Sequence, residues 1–300
     1  MNLIICITPL NILIAQELRE RYPNEDFHGV FLKYNSNEKM DYYIEQFSKF
    51  TVEVEVIDCT TRIKAYNQIF RARFSKETYD KVFVAAIDSM WVLSNLSAIH
   101  FREIYTYDDG TINLFPEGRY YTSEFSIAEK IVQSLLRFKY NPITLRAISK
   151  KHYTIYDAPN IIENTEMIQL VHEKESKAQS GTSVSILLGQ PLYAEDKQSQ
   201  ILFDNIVNKL QPDFYLPHPR ETFEVEGVDY VHTNYVLEDY IVHLRNQFET
   251  VKLYTVSSSA ILNVMQLSRV EVYGIKVDDF ENHQDILRRF DVPIIDLEME

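Results

Sequence analysis

Short apolar runs alternate with segments of helical period along most of this chain, and this alternation constrains its fold more than any other feature. In the first third, the runs predict strands over Leu3–Ile7, Phe27–Leu32, Val52–Ile57, Lys81–Ile87 and Glu103–Tyr107. The segments between them predict helices over Leu10–Arg21, Glu38–Phe50, 62–74 and 88–98. Strands and helices in this succession form a parallel sheet that is covered by helices on both faces. The chain is therefore expected to be an α/β protein.

The alternation loosens after Asp108 and restarts at Ser183. The looser part predicts a helix near 124–138 and short strands at Tyr153–Tyr156 and Ile168–Val171. The second half predicts strands over 183–188, 213–216, 251–256 and 270–275, and helices over 197–210, 237–247 and 259–267. The polar segment 173–182 is the best linker in the chain. We expect Rossmann-like domains over 1–172 and 183–300 that face a central cleft.

The charge balance excludes one class of partner and leaves another open. With 30 basic and 44 acidic residues, the net charge of −14 argues against nucleic-acid binding. Bases are nevertheless concentrated in Arg62–Lys76, which has five and no acid, and in Arg119–Lys151, which has a local charge of +5. These stretches fit either solvated helix faces or contact with an anionic lipid surface.

The sequence lacks the motifs that several common kinds of chemistry require. The two cysteines, Cys6 and Cys59, form no CxxC pair, so neither a disulfide scaffold nor a zinc site is expected, and a reduced cytosolic compartment fits best. No window approaches the roughly 18 apolar residues of a membrane-spanning helix. The sequence contains no P-loop, GxGxxG, HExxH or GxSxG motif. A phosphate site without these motifs suits a nucleotide-sugar transferase with two Rossmann-like domains.

Two acidic pairs follow predicted strands, where ligands bind in such sheets. Asp108–Asp109 precedes Gly110 and can supply a general base, a hydroxyl-binding group or a metal ligand, or can simply form a turn. Glu195–Asp196 opens a predicted helix, where a carboxylate either caps the helix or faces the cleft as a base of raised pKa.

Two further strand ends carry groups that suit phosphate. Prolines flank His218 and fix its backbone, so its imidazole can neutralise phosphate charge or act as a general acid. The run Ser257–Ser259 opens a predicted helix, whose hydroxyls and N–H groups can bind phosphate, although serine is also a common helix cap.

In combination, these pieces resemble the bacterial sialyltransferases, most closely glycosyltransferase family 52, the lipooligosaccharide sialyltransferases and their relatives. The matching pieces follow the family's order and are Asn2–Leu10, Tyr107–Gly110, Leu188–Leu192, His218–Pro219 and Ser257–Ser259. The resemblance implies a GT-B fold, CMP-sialic acid as donor, inversion at the anomeric carbon, and no cofactor or metal. It also implies a terminal galactoside of a surface glycolipid or glycan as acceptor.

The same resemblance implies roles for individual residues. His218 would contact the CMP phosphate or protonate the leaving group, and Ser257 and Ser258 would bind that phosphate. Glu238 looks like the family's ribose-binding glutamate; the alternative is an exposed acid at a helix start. The remaining donor-binding candidates are Gln190, Pro219 and Ser259.

The general base is expected among four acids. The family carries an acidic-acidic-Gly motif, which Asp108–Asp109–Gly110 matches completely. Glu195–Asp196 stands where relatives have an acidic pair after Gln-Pro, although Lys197 replaces the usual glycine. We favour Asp196 from that placement, with Asp108 next.

Three alternatives to this function stay open: another nucleotide sugar as donor, extension of a polysialic chain, and a non-catalytic sugar-binding homologue. The expected location is the bacterial cytoplasm. The sequence also leaves open peripheral contact with the anionic inner membrane and a homodimer.

Overall fold

The chain divides into two compact units in the computed structural model, which describes residues 1–34, 36–61, 78–170 and 181–298. The units are Met1–Leu170 and Val171–Glu300, and each holds one sheet. The predicted helix over 62–74 and the basic stretch Arg62–Lys76 lie outside the described residues. The predicted linker 173–182 does so except for its last two residues.

The first unit contains a seven-stranded sheet in which all neighbouring strands run parallel. Its strands are β1 (Asn2–Cys6), β2 (Phe27–Lys33), β3 (Glu53–Asp58), β4 (Thr78–Val84), β5 (His100–Tyr107), β6 (Ser149–Thr154) and β7 (Thr165–Met167). The strand order is β3-β2-β1-β4-β5-β6-β7, so the direction of winding reverses between β1 and β4. Ligands of such sheets bind at the carboxyl ends of the strands beside this reversal.

Five of the six helices described in the first unit begin at a residue whose side chain caps them. The helices are α1 (Pro9–Arg21), α2 (Glu38–Ser48), α3 (Met90–Ala98), α4 (Arg119–Thr122), α5 (Ile127–Leu135) and α6 (Pro142–Ile148). The exception is α4. Thr8, Ser126 and Asn141 each form a capping box at the start of α1, α5 and α6. Asn141–Pro142 is a start signal that the sequence analysis missed.

The second unit repeats the architecture with six parallel strands. Its strands are β8 (Ser183–Leu188), β9 (Phe214–Leu216), β10 (Asp229–Tyr230), β11 (Thr250–Thr255), β12 (Val270–Ile275) and β13 (Ile294–Ile295), in the order β10-β9-β8-β11-β12-β13. Winding reverses between β8 and β11. The helices are α7 (Asp196–Leu210), α8 (Leu237–Arg245) and α9 (Asp285–Arg289), with 3₁₀ segments at Ser259–Asn263 and Asp278–Gln284.

The expectation of two parallel α/β halves is confirmed, with local differences. The strand near the predicted Ile168–Val171 is instead β7, which ends at Met167. The predicted helix over 259–267 is wrong: the chain forms a 3₁₀ helix that ends at Asn263. The predicted helix near 124–138 is shorter and spans Ile127–Leu135. Among the residues that the structure describes, none of the helices combines the length and apolarity needed to cross a bilayer.

Candidate active site

Asp108 directly follows β5 of the first unit in a completely buried position. Its carboxylate oxygens accept hydrogen bonds from Asn113 Nδ2 (2.6 Å), His152 Nε2 (2.7 Å), Asn160 Nδ2 (3.3 Å), Thr154 Oγ1 (2.8 Å) and the Ile155 N–H (2.7 Å). Five donors occupy essentially every lone-pair direction of one carboxylate. The geometry of Asp108 is that of a buried structural anion which joins β5 to β6 and to the loop after it.

Asp109, the next residue, has a different environment. Its side chain is half-buried, and Oδ1 accepts a hydrogen bond from Asn11 Nδ2 (3.3 Å). Burial raises the pKa of Asp109 to about 6, and the nearby Asp88 carboxylate acts in the same direction, while hydrogen bonds from Asn11 and Tyr120 oppose both effects. Of the Asp-Asp pair, Asp109 is therefore the carboxyl group suited to proton exchange near neutral pH.

Asp88 is a second acid at this edge, and the sequence analysis missed it. It lies shortly after β4, next to the helix-capping Ser89, and is half-buried. Burial raises the pKa of Asp88, and the charge of Arg119 opposes this shift. The Tyr34 hydroxyl lies 2.9 Å from Ser89 Oγ, so the chain after β2 reaches the same edge. The signal that could have found Asp88 is its place soon after an apolar strand.

Asn11 connects the end of β1 to the end of β5. Its Oδ1 accepts hydrogen bonds from the N–H groups of Ile7 (3.0 Å) and Thr8 (3.1 Å). Its Nδ2 lies within reach of Asp109 Oδ1 and of the Asp108 carbonyl oxygen (3.4 Å). The segment Ile7–Asn11, which includes the start of α1, is thereby fixed against the acidic pair at the reversal of strand order.

In the second unit, Gln190 connects the ends of β8 and β11. Its Oε1 accepts hydrogen bonds from the Ser257 N–H (3.0 Å) and from Thr255 Oγ1 (3.1 Å). Its Nε2 lies 3.5 Å from Ser257 Oγ. Because β8 and β11 flank the second reversal of strand order, Gln190 and Ser257 lie where this type of sheet binds ligands.

The serine run is arranged differently from a phosphate-binding helix N-terminus. The Ser257 N–H is used by Gln190, and the Ser258 N–H donates to Thr255 Oγ1 (2.9 Å). Ser258 Oγ accepts from the Ala260 N–H (3.4 Å), and Ser259 begins the short 3₁₀ helix. With the N–H groups of Ser257 and Ser258 engaged inside the chain, the hydroxyl groups are the atoms of these two residues that can meet an anion.

His218 follows β9 in a half-buried position. Its Nδ1 accepts a hydrogen bond from the Arg220 N–H (3.1 Å). A ring nitrogen that accepts from a backbone N–H carries no proton, so the neutral imidazole carries its proton on Nε2. His218 therefore presents a donor at Nε2, which is the group required opposite a phosphate oxygen.

Glu221 holds the backbone at His218, and the sequence analysis missed this residue too. Glu221 Oε2 accepts hydrogen bonds from the His218 N–H (3.3 Å) and from the Tyr215 hydroxyl (3.0 Å). Burial raises the pKa of Glu221. A Cβ at Gly189 would collide with Glu221 Oε2 and with the Tyr215 hydroxyl, so this packing needs glycine. The sequence signal that could have found Glu221 is an acid three residues after His218.

Asp196 is the first residue of α7 and is exposed. Its Oδ2 accepts a hydrogen bond from Thr222 Oγ1 (2.5 Å), and Thr222 follows His218 by four residues. Glu195 is the N-cap residue of α7 but makes no side-chain capping bond. Asp196 is thus attached to the segment that carries His218, and the capping interpretation does not describe Glu195.

Glu238 lies in the first turn of α8 and is buried, which contradicts the alternative of an exposed acid. Its Oε1 accepts a hydrogen bond from Asn263 Nδ2 (2.6 Å). Asn263 ends the 3₁₀ helix that follows the serine run, so Glu238 approaches the same edge of the second sheet.

The second unit therefore brings together most of the predicted site residues. The residues on the loops and helix starts at the carboxyl edge of its sheet are Gln190, Glu195, Asp196, His218, Pro219, Glu238, Ser257, Ser258 and Ser259. Asp108 and Asp109 belong to the first unit. Across the described ranges, no group of three or more His, Cys, Asp or Glu side chains is placed to hold a metal ion.

Solved structures with the same architecture are glycosyltransferases of the GT-B class, which confirms the expected fold. The glycosyltransferase SnogD from Streptomyces nogalater aligns with a TM-score of 0.56 at 10% identity, over 100% of this chain and 87% of that one. The spinosyn forosaminyltransferase SpnP aligns with a TM-score of 0.53 at 9% identity, with the same coverage. At such low identities the likeness concerns the fold alone.

Sequence relatives are more specific. The model of glycosyltransferase family 52 matches residues 24–279. A Pasteurella multocida (strain Pm70) protein named CMP-N-acetylneuraminate:beta-galactoside alpha-2,3-sialyltransferase is 37% identical over 99% of both chains. A Haemophilus influenzae protein named N-acetyllactosaminide alpha-2,3-sialyltransferase is 31% identical over 92% of both. The chain belongs to glycosyltransferase family 52, as its motifs indicated, and is a glycosyltransferase.

Proposed function

We propose that this enzyme transfers sialic acid from CMP-sialic acid to a terminal galactoside, with inversion at the anomeric carbon. The observation that carries the proposal is the 37% identity, over 99% of the chain, to a protein whose name states that donor and that acceptor class. The polar edge of the second sheet supports it, because it supplies the His218 imidazole, serine hydroxyls and carboxylates.

In this proposal the second unit binds the donor. The hydroxyl groups of Ser257 and Ser258 bind the phosphate of CMP, with Gln190 holding Ser257 in place. Glu238 binds the ribose hydroxyls, because its carboxylate lies beside the 3₁₀ helix that follows the serines. Pro219 fixes the backbone after His218, and Ser259 positions the start of the 3₁₀ helix.

The chemical step is a direct displacement. The acceptor hydroxyl oxygen forms a bond to the anomeric carbon of sialic acid while its proton passes to a carboxylate. The bond from that carbon to the phosphate oxygen breaks, and the oxygen leaves with the electron pair on CMP. His218 Nε2–H donates to this oxygen as its negative charge develops. A preorganised donor of this kind contributes about 3 kcal/mol to transition-state stabilisation.

We infer that Asp196 is the carboxylate that receives the proton. The hydrogen bond from Thr222 links Asp196 to the segment that carries His218, and base and leaving-group donor belong to one unit. Asp109 is the competing candidate because its pKa of about 6 is that of an effective base near neutral pH. Asp108 is given a structural role, since its oxygens are already occupied.

The pH dependence of the reaction distinguishes the two candidates. A base must be ionised, so with Asp109 as base kcat/KM falls as the pH drops through about 6. With Asp196 as base, Asp196→Asn abolishes transfer, whereas Asp109→Asn retains it. An acid limb near pH 6 that disappears in Asp109→Asn would transfer the role of base to Asp109.

The testing experiment measures CMP release from CMP-sialic acid, with and without lactose, in the presence of EDTA. We expect lactose to stimulate release, and His218→Ala to lower the rate by about a hundredfold to a thousandfold while the protein stays folded. Asn246→Ala, on the exposed C-terminal end of α8, serves as the control substitution. An active His218→Ala enzyme would contradict the proposal. So would an enzyme that leaves CMP-sialic acid unused and is active only with a different nucleotide sugar.

We further propose that the enzyme works in the cytoplasm against the inner membrane, where a lipid-linked glycan acceptor would be presented. The basic stretch Arg119–Lys151, with its local charge of +5, supports this contact.

A further inference from the structure

Helix α5 presents its apolar side chains to solvent. Ile127, Ile131 and Leu135 recur at every fourth position and have exposed fractions of 79%, 55% and 75%. We refer to these three side chains as the α5 face. The opposite side of the helix, which includes Glu129 and Val132, is half-buried, and no residue of α5 is fully buried. An amphipathic helix normally buries its apolar side, so α5 is oriented in the reverse sense.

The orientation of α5 is fixed by specific interactions. Its capping box at Ser126 sets the first turn, and Arg119 forms a 2.9 Å ion pair with Glu129 on the inward side. Gln133 Nε2 lies 3.4 Å from Met90 Sδ of α3. These contacts hold the inward side of the helix, so the α5 face stays in solvent.

Bases surround the α5 face. Lys130 lies on the helix itself, and Arg137 and Lys139 follow its C-terminal end, all exposed. The chain turns at Arg137, whose φ of 53° is left-handed, and the Lys139 N–H is fixed to Ser97 Oγ at 2.9 Å. Within the described part of the chain these three bases form no ion pair, whereas Arg119 and Lys151 of the same stretch do. One exposed base therefore lies on α5 and two more follow its C-terminal end.

We propose that the α5 face is a docking surface for an anionic lipid bilayer, an inference that rests on the membrane contact proposed above. Apolar side chains in a row on one side of a helix, with bases beside them, are the combination that places a helix in the plane of a membrane interface. Charge complementarity selects the partner, because a protein of net charge −14 concentrates a local +5 in the stretch that contains this helix. The face would insert among the acyl chains while Lys130, Arg137 and Lys139 contact the headgroup phosphates.

The proposal is tested by flotation of the full-length protein with vesicles of phosphatidylcholine, with and without phosphatidylglycerol. We expect flotation with the anionic vesicles at low salt and its loss at high salt. Replacement of Ile127, Ile131 and Leu135 by Ser should lower the bound fraction by about tenfold or more. Replacement of Lys130 and Lys139 by Gln should lower it by roughly tenfold at low salt.

Two control variants remove the same number of apolar or basic side chains from other exposed positions. Val52, Val56 and Ile201 are also exposed, at 68%, 38% and 51%, and their triple replacement by Ser should leave flotation unchanged. Lys49→Gln with Lys209→Gln removes the same charge from other exposed positions and should also have no effect. Equal losses in the control variants would overturn the proposal.

A second copy of the chain is the other occupant that an apolar face could have. The proposal fails if the unmodified protein does not bind anionic vesicles and sedimentation equilibrium shows that it is a dimer. If the triple variant at Ile127, Ile131 and Leu135 is then a monomer, the α5 face is a subunit interface. CMP release with soluble lactose should be equal in all variants. Loss of flotation and failure of the proposed reaction are therefore separate results.

Discussion

His152 Nε2 lies 2.7 Å from Asp108 Oδ1, and neither side chain is exposed to solvent. Thr106 Oγ1 lies 2.9 Å from the other ring nitrogen of His152. The Asp-Asp-Gly sequence therefore contains two carboxylates in different environments. Asp108 organises the core at the end of β5, and Asp109 is the accessible member of the pair.

Loss of this pair should destabilise the first unit. Removing one partner of a buried hydrogen bond costs about 1 to 3 kcal/mol, and more where a charged group is left, because the remaining group stays buried without its partner. We expect both Asp108→Asn and His152→Ala to lower the urea midpoint of unfolding strongly. Circular dichroism during urea titration measures this effect. If Asp108→Asn keeps full stability and loses only activity, the structural assignment of Asp108 is incorrect.

The sequence predicted the architecture well because both sheets are built from apolar runs that are buried over most of their length, such as Asn2–Cys6. Prediction from the sequence was less successful for the environments of single side chains. Nothing local distinguishes Asp108 from Asp109, since the five donors around Asp108 come from 5 to 52 residues away. Likewise, the serine run satisfies a helix-cap pattern, but Gln190, 67 residues away, takes the Ser257 N–H. Tertiary contacts decided these outcomes.

Both cysteines should be inert in the folded protein. Cys6 and Cys59 are free and buried, and burial raises the pKa of each thiol to about 12. Because the thiolate is the reactive form, neither should react with a disulfide reagent at pH 8 within the time of mixing. In denaturant both should react. Rapid modification of one thiol in the native protein would show that its surroundings open.

Asp109 should make stability fall as the pH rises. Its pKa is raised from 3.8 to about 6 in the folded state, so the folded protein binds the proton more tightly than the unfolded chain does. The cost of ionising Asp109 is absent near pH 4, develops between pH 4 and 6, and is complete above 6. Asp109→Asn should therefore raise the free energy of unfolding at pH 8 by on the order of 2 kcal/mol, with little change at pH 4. Melting curves at these two pH values measure the difference, and an equal gain at both would contradict the raised pKa.

Glu221 should act on catalysis through the backbone of His218. Its Oε2 accepts from the His218 N–H at 3.3 Å and from the Tyr215 hydroxyl at 3.0 Å, so Glu221→Ala removes the acceptor that fixes this loop. A leaving-group donor that is displaced by about 1 Å costs on the order of a hundredfold in rate. Glu221→Ala should therefore lower kcat for CMP release with little change in KM for the donor. Glu221→Gln keeps a side-chain oxygen as acceptor and should restore most of kcat. If both variants lost activity equally, or if KM rose while kcat held, Glu221 would have a direct role in donor binding and not one in positioning His218.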